Sequence, residues 1–497
     1  MSAVLAERLA VAERNRASNE FESQSFRVRL IKIVSAVLLG VCFWFSVPYY
    51  LPLKMDPDPK KAAANEAEAY EGNFSRQLAM PVIALAAAYL LWRLPKRGRF
   101  GSRLMPIAIM YVGWALLSAS WSTDPSITIK RLVVFSINCF FAYTVARIFT
   151  VVEMSLFGFA QTGIVGLMSL YVDLFHEHNF APFDPDYRFN GVMTANYQAM
   201  NLVVCMVCAL TLLQRRPHWI KWIAPTIALG LGLVYLTRSR LGAVLGLIML
   251  TIIGLRIAKK QLQPHARAML VVASLTIVVP GLIYAVGRNG EQAAQSAFMM
   301  GRTDTENTSN LSNRAPLWAE LMDSVRDRPI IGYGYEAFWT PARVERISAD
   351  QGWMVPHAHD TYLDQTLSLG VVGMLLYVGM LLGGAITAWR RHRRNPSETS
   401  LYPAILLTWL ALTGVAESVP LDPYLPTLLA YTCIVKMCMI EGSEGEADNL
   451  YGDELIHGLP RVPVAAAIAP PQPDKPVKPM KPEEPRRLPA RSTAFGR

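Results

Sequence analysis

The sequence predicts an all-α, polytopic membrane protein with about twelve transmembrane helices. Three observations lead there. The chain is 497 residues long and 52% hydrophobic. Its apolar residues come in separated blocks, most of them near the roughly 17 to 25 residues that cross a hydrocarbon core as a helix. Its basic residues gather in alternate connections between those blocks, the bias that orients membrane proteins with their Lys/Arg-rich loops in the cytoplasm. Lipid offers no partner to an unpaired peptide group, so helices are the natural way for blocks of this length to cross it.

The blocks lie near Val28–Tyr50, Leu78–Leu94, Met105–Ser120, Leu132–Phe149, Met154–Leu174, Ala195–Leu213, Trp219–Leu236, Leu241–Leu255, Ala268–Val286, Thr361–Trp389, Leu401–Val415 and Tyr424–Ile440. The first follows a segment carrying Arg8, Arg14, Arg16, Arg27 and Arg29 and precedes no small-residue cleavage site, which reads as an uncleaved anchor. All six cysteines fall inside apolar blocks, so Cys205-x-x-Cys208 reads as helix packing and not as a redox or metal motif. The basic clusters are Arg93 to Arg103, Arg215 to Lys221, Arg256 to Arg267 and Arg390 to Arg394. They put the N-terminus inside, and twelve crossings return the C-terminus to the same side. The net charge of +10 is thus a matter of topology and predicts no nucleic-acid partner.

Three regions follow: a cytoplasmic N-terminal segment 1–27, a transmembrane domain 28–440 with a large outward loop at about 287–360, and a cytoplasmic tail 441–497. The tail contains "PPQPDKPVKPMKPEEPRRLP", too rich in proline and charge to build a core, and is expected to be disordered. There is no Walker-type phosphate loop and no GxGxxG, and no outward cluster of acidic or histidine residues has the spacing of a metal site. No nucleotide, metal or other cofactor is predicted.

The large loop holds "APLWAELMDSVRDRP", which sets Leu317, Trp318, Leu321, Met322 and Val325 on one helical face, to lie on the membrane surface or to pack on other loop elements. The following "PIIGYGYEAFW" mixes turn-permitting glycines with Tyr333, Tyr335, Phe338 and Trp339. With Trp318, the two tyrosines and Trp339 suit either stacking on sugar rings or anchoring of the loop.

Outward basic residues are few. Arg131, Arg188, Arg238 and Arg240 sit beside block ends, and the large loop contributes arginines that include Arg314 but no lysine. A guanidinium grips phosphate bidentately and keeps its charge in any pocket. Taken singly, each reads first as a snorkelling or paired side chain. Arg188 and Arg240, each with glycine close by, are together suited to hold a diphosphate. In "PHAHDTYL" (Pro356–Leu363), His359 and Asp360 stand at the start of a long apolar block. An imidazole there is placed to take a proton from a hydroxyl, whereas His357 reads as a solvated loop residue. Glu417, in "AESVPLDPY", is a second candidate base.

Five stretches, in order, resemble the O-antigen ligase and polymerase superfamily of bacterial surface and exopolysaccharide biosynthesis. They are "SASWSTDPSITIKR" (Ser118–Arg131), "RFNGVMTANYQAMN" (Arg188–Asn201), "TRSRLGAVLGL" (Thr237–Leu247), "NRAPLWAELMDSVRDRPIIGYGYEAF" (Asn313–Phe338) and "HAHDTYLDQTLSLGVVGMLLY" (His357–Tyr377). Asp360 departs from the family's usual asparagine. An aspartate serves equally if that residue shapes the turn, but it cannot donate an amide hydrogen bond to substrate.

The resemblance implies a GT-C-like, metal-independent glycosyltransferase in the bacterial inner membrane with its active face periplasmic. Its donor is a glycan on undecaprenyl diphosphate, and its acceptor is another glycan or lipid A-core. On this reading His359 and Glu417 are the candidate catalytic groups. Arg188, Arg240, Arg314, Arg131 and Arg238 bind the diphosphate. Trp318, Tyr333, Tyr335, Trp339 and Asn196 contact sugar or shape the loop. The rival class is a transporter or flippase of the same lipid-linked oligosaccharide. It calls for central paired charges and two-half symmetry, and the sequence displays neither.

Overall fold

The structure is a computed structural model that describes residues 26–41, 74–176, 180–184, 187–261, 263, 314–353, 355–418 and 424–440. The N-terminal segment up to residue 25, the apolar block Ala268–Val286, the loop stretch 287–313 and the tail 441–497 lie outside the described residues.

Thirteen α-helices are described, and no β-strand beyond one isolated bridge between Phe100 and Met439. They are α1 (26–41), α2 (Phe74–Arg93), α3 (Met105–Leu117), α4 (Pro125–Ile148), α5 (Val151–Tyr171), α6 (Ala195–Arg215), α7 (Ile220–Leu236) and α8 (Arg240–Gln261). Then follow α9 (Arg314–Asp327), α10 (Pro341–Gln351), α11 (Thr361–Arg394), α12 (Glu398–Thr413) and α13 (Leu425–Met437). Among the described residues six helical segments are long and apolar enough to cross a membrane: Pro125–Ile148, Val151–His176, Ala195–Arg215, Pro217–Leu236, Arg240–Lys259 and Thr361–Arg394. Four shorter apolar helices, within α2, α3, α12 and α13, accompany them.

Caps explain where several helices begin. Asp124 accepts from Ile127 N at 3.0 Å ahead of Pro125, so α4 starts seven residues before the apolar block Leu132–Phe149 and takes in Lys130 and Arg131, which the sequence assigned to a loop. Thr150 and Glu153 form a capping box at the head of α5. Beyond Tyr171, α5 widens into a π-turn over Val172–His176, where Asp173 is buried and accepts from the Tyr187 hydroxyl. At α8 the helix outlasts the apolar run and carries Arg256 and Lys259 in its last turns.

The core follows the degree of apolarity around each helix. α6 is the central column, with 83% of its apolar window buried, and it packs on α5, α7 and α8. α7 is peripheral, with 22% buried. Between α5 and α7 lies an open, apolar cavity of about 530 Å³ lined by residues such as Leu170, Leu174, Phe180, Gly232 and Leu236. Two lysines are buried on the way into the bundle. Lys32 on α1 pairs with Glu153 at 3.1 Å, and Lys436 on α13 donates to Ala146 O at 3.1 Å.

Contacts between distant connections sort the helix ends into two groups. At one end Arg97 N donates to Arg147 O (2.6 Å), Ile440 N to Arg99 O (2.7 Å), and Arg391 reaches the carbonyls of Lys436, Met437 and Met439. At the other, Thr123 N donates to Tyr333 O, Phe189 N to Leu236 O and Thr361 N to Gly414 O, at 2.9, 2.9 and 2.8 Å. The basic clusters thus form a rim at one end of the bundle, and the outward arginines and His359 belong to the other.

At that other end α9, α10 and the turns between them make a small module with its own apolar core. Leu317, Leu321 and Val325 of α9 pack with Tyr333, Phe338, Trp339, Val344, Ile347, Val355 and Ala358. Of the two settings open to the α9 face, packing on loop elements is the one observed, and Met322 lies off that face, 42% exposed.

The module is fastened to α11 at a break in that helix. Gly370 adopts φ 69°, ψ −176°, a conformation essentially confined to glycine. The break frees peptide groups on both sides, and residues 329–334 take them up. Tyr333 N donates to Leu367 O (2.9 Å), Gly334 N to Ser368 O (2.9 Å), Val371 N to Pro329 O (2.8 Å) and Val372 N to Ile330 O (3.4 Å). A Cβ on Gly370 would overlap the Ile330 carbonyl, and one on Gly332 would stand 2.6 Å from Gly370 N. Trp114 and Trp121 add indole hydrogen bonds to Leu369 O (3.0 Å) and Ile331 O (2.9 Å).

Candidate functional site

Five side chains from four separated segments meet at the end of the bundle opposite the basic rim. Glu417 stands at their centre, in the turn after α12, its side chain only 7% exposed. Oε1 accepts from Asn196 Nδ2 at 2.7 Å and from Arg314 Nη2 at 3.0 Å. Oε2 faces His359, with Nδ1 at 3.7 Å. Arg188 extends the chain of contacts, donating from Nη2 to Asn196 Oδ1 at 3.3 Å and from Nε to Thr237 O at 3.2 Å. The Asn196 amide therefore accepts on one side and donates on the other, which fixes its orientation.

Local structure explains how each group is presented. Arg314 and Asn196 sit in the first turns of α9 and α6, and Arg314 also reaches Ala416 O. His359 precedes α11 at φ 53°, a left-handed conformation that costs a non-glycine residue on the order of 1–3 kcal/mol and persists only where the surroundings over-determine it. Asp360 is the N-cap of α11, accepting from Leu363 N at 2.9 Å. Burial pushes the Asp360 carboxyl above the usual carboxylate range, and the cap bonds work against that rise. As N-cap, Asp360 shapes the turn that leads into α11.

His357 is partly buried and not a solvated loop residue as the sequence suggested. Its Nδ1 accepts from His359 N at 3.3 Å, and the two rings lie 4.1 Å apart. Desolvation, followed by the neighbouring His359 and Arg314, holds its pKa well below the ordinary imidazole value. Trp353 covers His359 from another side at 5.4 Å between centroids. Both ring nitrogens of His359 are shielded and make no hydrogen bond among the described residues.

Arg131 and Arg238 make contacts with other segments. Arg131 pairs with Glu336 at 3.3 Å, where the module meets α3 and α4. Arg238, at φ 52° and 8% exposed, donates to Asp184 O at 2.6 Å and ties the 180–184 stretch to the α7–α8 turn. Arg240 is the first residue of α8, half-buried, three positions from the Thr237 carbonyl that Arg188 engages.

For the aromatic candidates, burial favours anchoring over sugar stacking. Tyr333, Tyr335 and Trp339 are 6%, 5% and 4% exposed. Tyr335 packs on Phe135 of the main core, and Trp318 Nε1 donates to Ala358 O at 2.8 Å. Trp339 Nε1 donates to Asp364 Oδ1 at 2.7 Å. The sequence offered no reason to single out Asp364, which also accepts from Ala358 N at 3.2 Å and from the Ser418 hydroxyl. Its only advance signal was a carboxylate one turn into an apolar block, five residues after His359.

Arg314 reaches Glu417 directly and Arg188 reaches it through Asn196, and guanidinium groups so placed are suited to hold an anion. Comparison with known proteins agrees with the motifs. Residues 225–378, which include Arg238, Arg240, Arg314 and His359, match the family model described as O-antigen ligase. The exopolysaccharide production protein ExoQ of Rhizobium meliloti (strain 1021) is 22% identical over 327 residues, covering 61% of this chain and 70% of that protein. The family match and this relative together support placing the chain in the O-antigen ligase superfamily.

Proposed function

We propose that the protein is a membrane glycosyltransferase of surface-polysaccharide biosynthesis. It takes a glycan from undecaprenyl diphosphate at the periplasmic face of the inner membrane and passes it to a saccharide acceptor. The observation that carries this reading is the convergence of His359, Glu417, Arg314, Asn196 and Arg188 at the bundle end opposite the basic rim. Basic rims face the cytoplasm, so the cluster faces the compartment in which lipid-linked glycans are assembled into polymers. The exopolysaccharide role of the Rhizobium relative favours a growing saccharide chain over lipid A-core as acceptor.

A GT-C-like bundle of twelve spans fits the two groups of helix ends. α8 runs from the site end to the basic rim, and α9 begins again at the site end. Between them the sequence offers one apolar block of spanning length, Ala268–Val286, which lies outside the described residues.

In the mechanism, Arg188 and Arg240 hold the diphosphate and stabilise its charge as it leaves. The acceptor hydroxyl attacks the anomeric carbon from the face opposite the diphosphate. A new C–O bond forms, the bond to the phosphate oxygen breaks, and the configuration inverts. The hydroxyl proton passes to the His359 imidazole, whose ring nitrogens the protein shields until the acceptor hydroxyl enters. Glu417, held by Arg314 and Asn196, orients the imidazole and stabilises the cation it becomes.

The test is complementation of a deletion strain with His359→Ala, Arg188→Ala and Arg240→Ala variants that insert normally, read as surface-glycan length on gels. Loss of long chains is expected in all three, and near-normal product in all three refutes the proposal. In the deletion strain a single repeat still attached to its normal acceptor indicates a polymerase, and full-length chains stranded on the carrier lipid indicate a ligase.

A further inference from the structure

Asp364 is fully buried one turn into α11 and touches none of the arginines of the site through any described contact. Its two oxygens nevertheless take hydrogen bonds from three segments that matter. Oδ1 accepts from the peptide N–H of Ala358, immediately before His359 (3.2 Å), and from Trp339 Nε1 in the outer module (2.7 Å). Oδ2 accepts from the hydroxyl of Ser418, immediately after Glu417. We infer that Asp364 is a positioning residue that sets His359 against Glu417 by clamping the backbone on one side of each. The inference rests on the glycosyltransferase reading above, in which those two groups act together.

Three further observations support it. The left-handed backbone of His359 is held between the Ala358–Asp364 bond on one side and the Asp360 cap on the other, as a strained residue requires. The 414–418 turn is stitched to the head of α11 by Thr361 N to Gly414 O (2.8 Å) and Thr361 Oγ1 to Glu417 O (2.7 Å), so Asp364 closes a frame that is otherwise rigid. Finally, the His359–Glu417 separation of 3.7 Å is just longer than a hydrogen bond. A shift of a fraction of an ångström in either segment therefore makes or loses the contact.

The carboxylate acts only as an acceptor here, and asparagine can reproduce that. Its oxygen can take the Ala358 and Trp339 bonds while its amide donates to the Ser418 hydroxyl, which rotates to accept. Alanine removes all three bonds.

The experiment compares Asp364→Asn and Asp364→Ala with His359→Ala in membranes of a deletion strain. The donor is the lipid-linked glycan extracted from that strain, added at graded concentration, and rates are normalised to folded protein from thermal melts in detergent. Asp364→Asn is expected to work near the wild-type rate. Asp364→Ala is expected to lose roughly 100-fold in kcat, the scale for misplacing a catalytic group by about 1 Å, with KM for donor little changed. A wild-type kcat per folded molecule in Asp364→Ala overturns the inference, as does an equal loss in Asp364→Asn. Full activity in His359→Ala overturns instead the functional reading beneath it, whatever the Asp364 variants do.

Discussion

Gly370→Ala tests how the outer module is attached. Alanine at φ 69°, ψ −176° enters a region nearly closed to side chains, at a strain of about 1–3 kcal/mol. Its Cβ also overlaps the Ile330 carbonyl, so residues 329–331 have to retreat. Four backbone hydrogen bonds cross that contact, each contributing about 0.5–1.5 kcal/mol net. Losing two of them brings the total to roughly 2–6 kcal/mol. The expected result is a lower melting temperature of the detergent-purified protein, with new proteolytic cuts between residues 314 and 360 appearing before the membrane helices unfold. Gly113→Ala is the control, because a Cβ at Gly113 meets nothing within 4 Å and alanine is the better helix former. If Gly370→Ala melts and resists protease like Gly113→Ala, the break does not carry the attachment and the reasoning fails.

Two further outcomes follow from buried charge. Lys32→Met leaves Glu153 buried without its partner and should destabilise by about 3–5 kcal/mol, whereas adding Glu153→Met recovers most of the loss; equal melting of single and double variants argues against the pairing. His357 has a depressed folded-state pKa, so below the ordinary imidazole value near 6.5 the unfolded chain takes up a proton that the folded chain refuses. Stability is then fully present above about pH 6.5 and falls as the pH drops beneath it. His357→Asn should flatten that part of the melting profile, and an unchanged slope contradicts a buried neutral ring.

The helices were readable because hydrophobic blocks of membrane length leave the chain little alternative. Met105, Ala195 and Thr361 begin both a block and an observed helix. Boundaries slipped where capping outweighed hydropathy, as at Asp124 and Pro125, whose helix starts through charged residues that an apolar count excludes. The break at Gly370 lay unseen within a continuous apolar run, since only a docked segment from elsewhere makes the freed peptide groups tolerable. Site residues were legible by type and end of the bundle, and their pairing was not. Nothing near Glu417 in sequence announces Arg314 or Asn196 as partners. Sequence named Arg131 and Arg238 as helpers of Arg188 and Arg240 and gave no sign of the contacts they make, with Glu336 and with the Asp184 carbonyl. Buried aromatic residues such as Trp339 look the same in sequence whether they grip a ligand or a carboxylate of their own fold.

The seam at Gly370 has a bearing on how such proteins diversify. At the break itself four peptide hydrogen bonds and two indoles make the joint, and the module's other ties to the bundle, such as Arg131–Glu336 and Trp339–Asp364, involve side chains on its inner side. The outer surface is free to change its charge and shape while the grip on the broken helix persists. The joint is thus a place where the module's outer face can vary, between chains that keep a glycine there, without altering the helices beneath it.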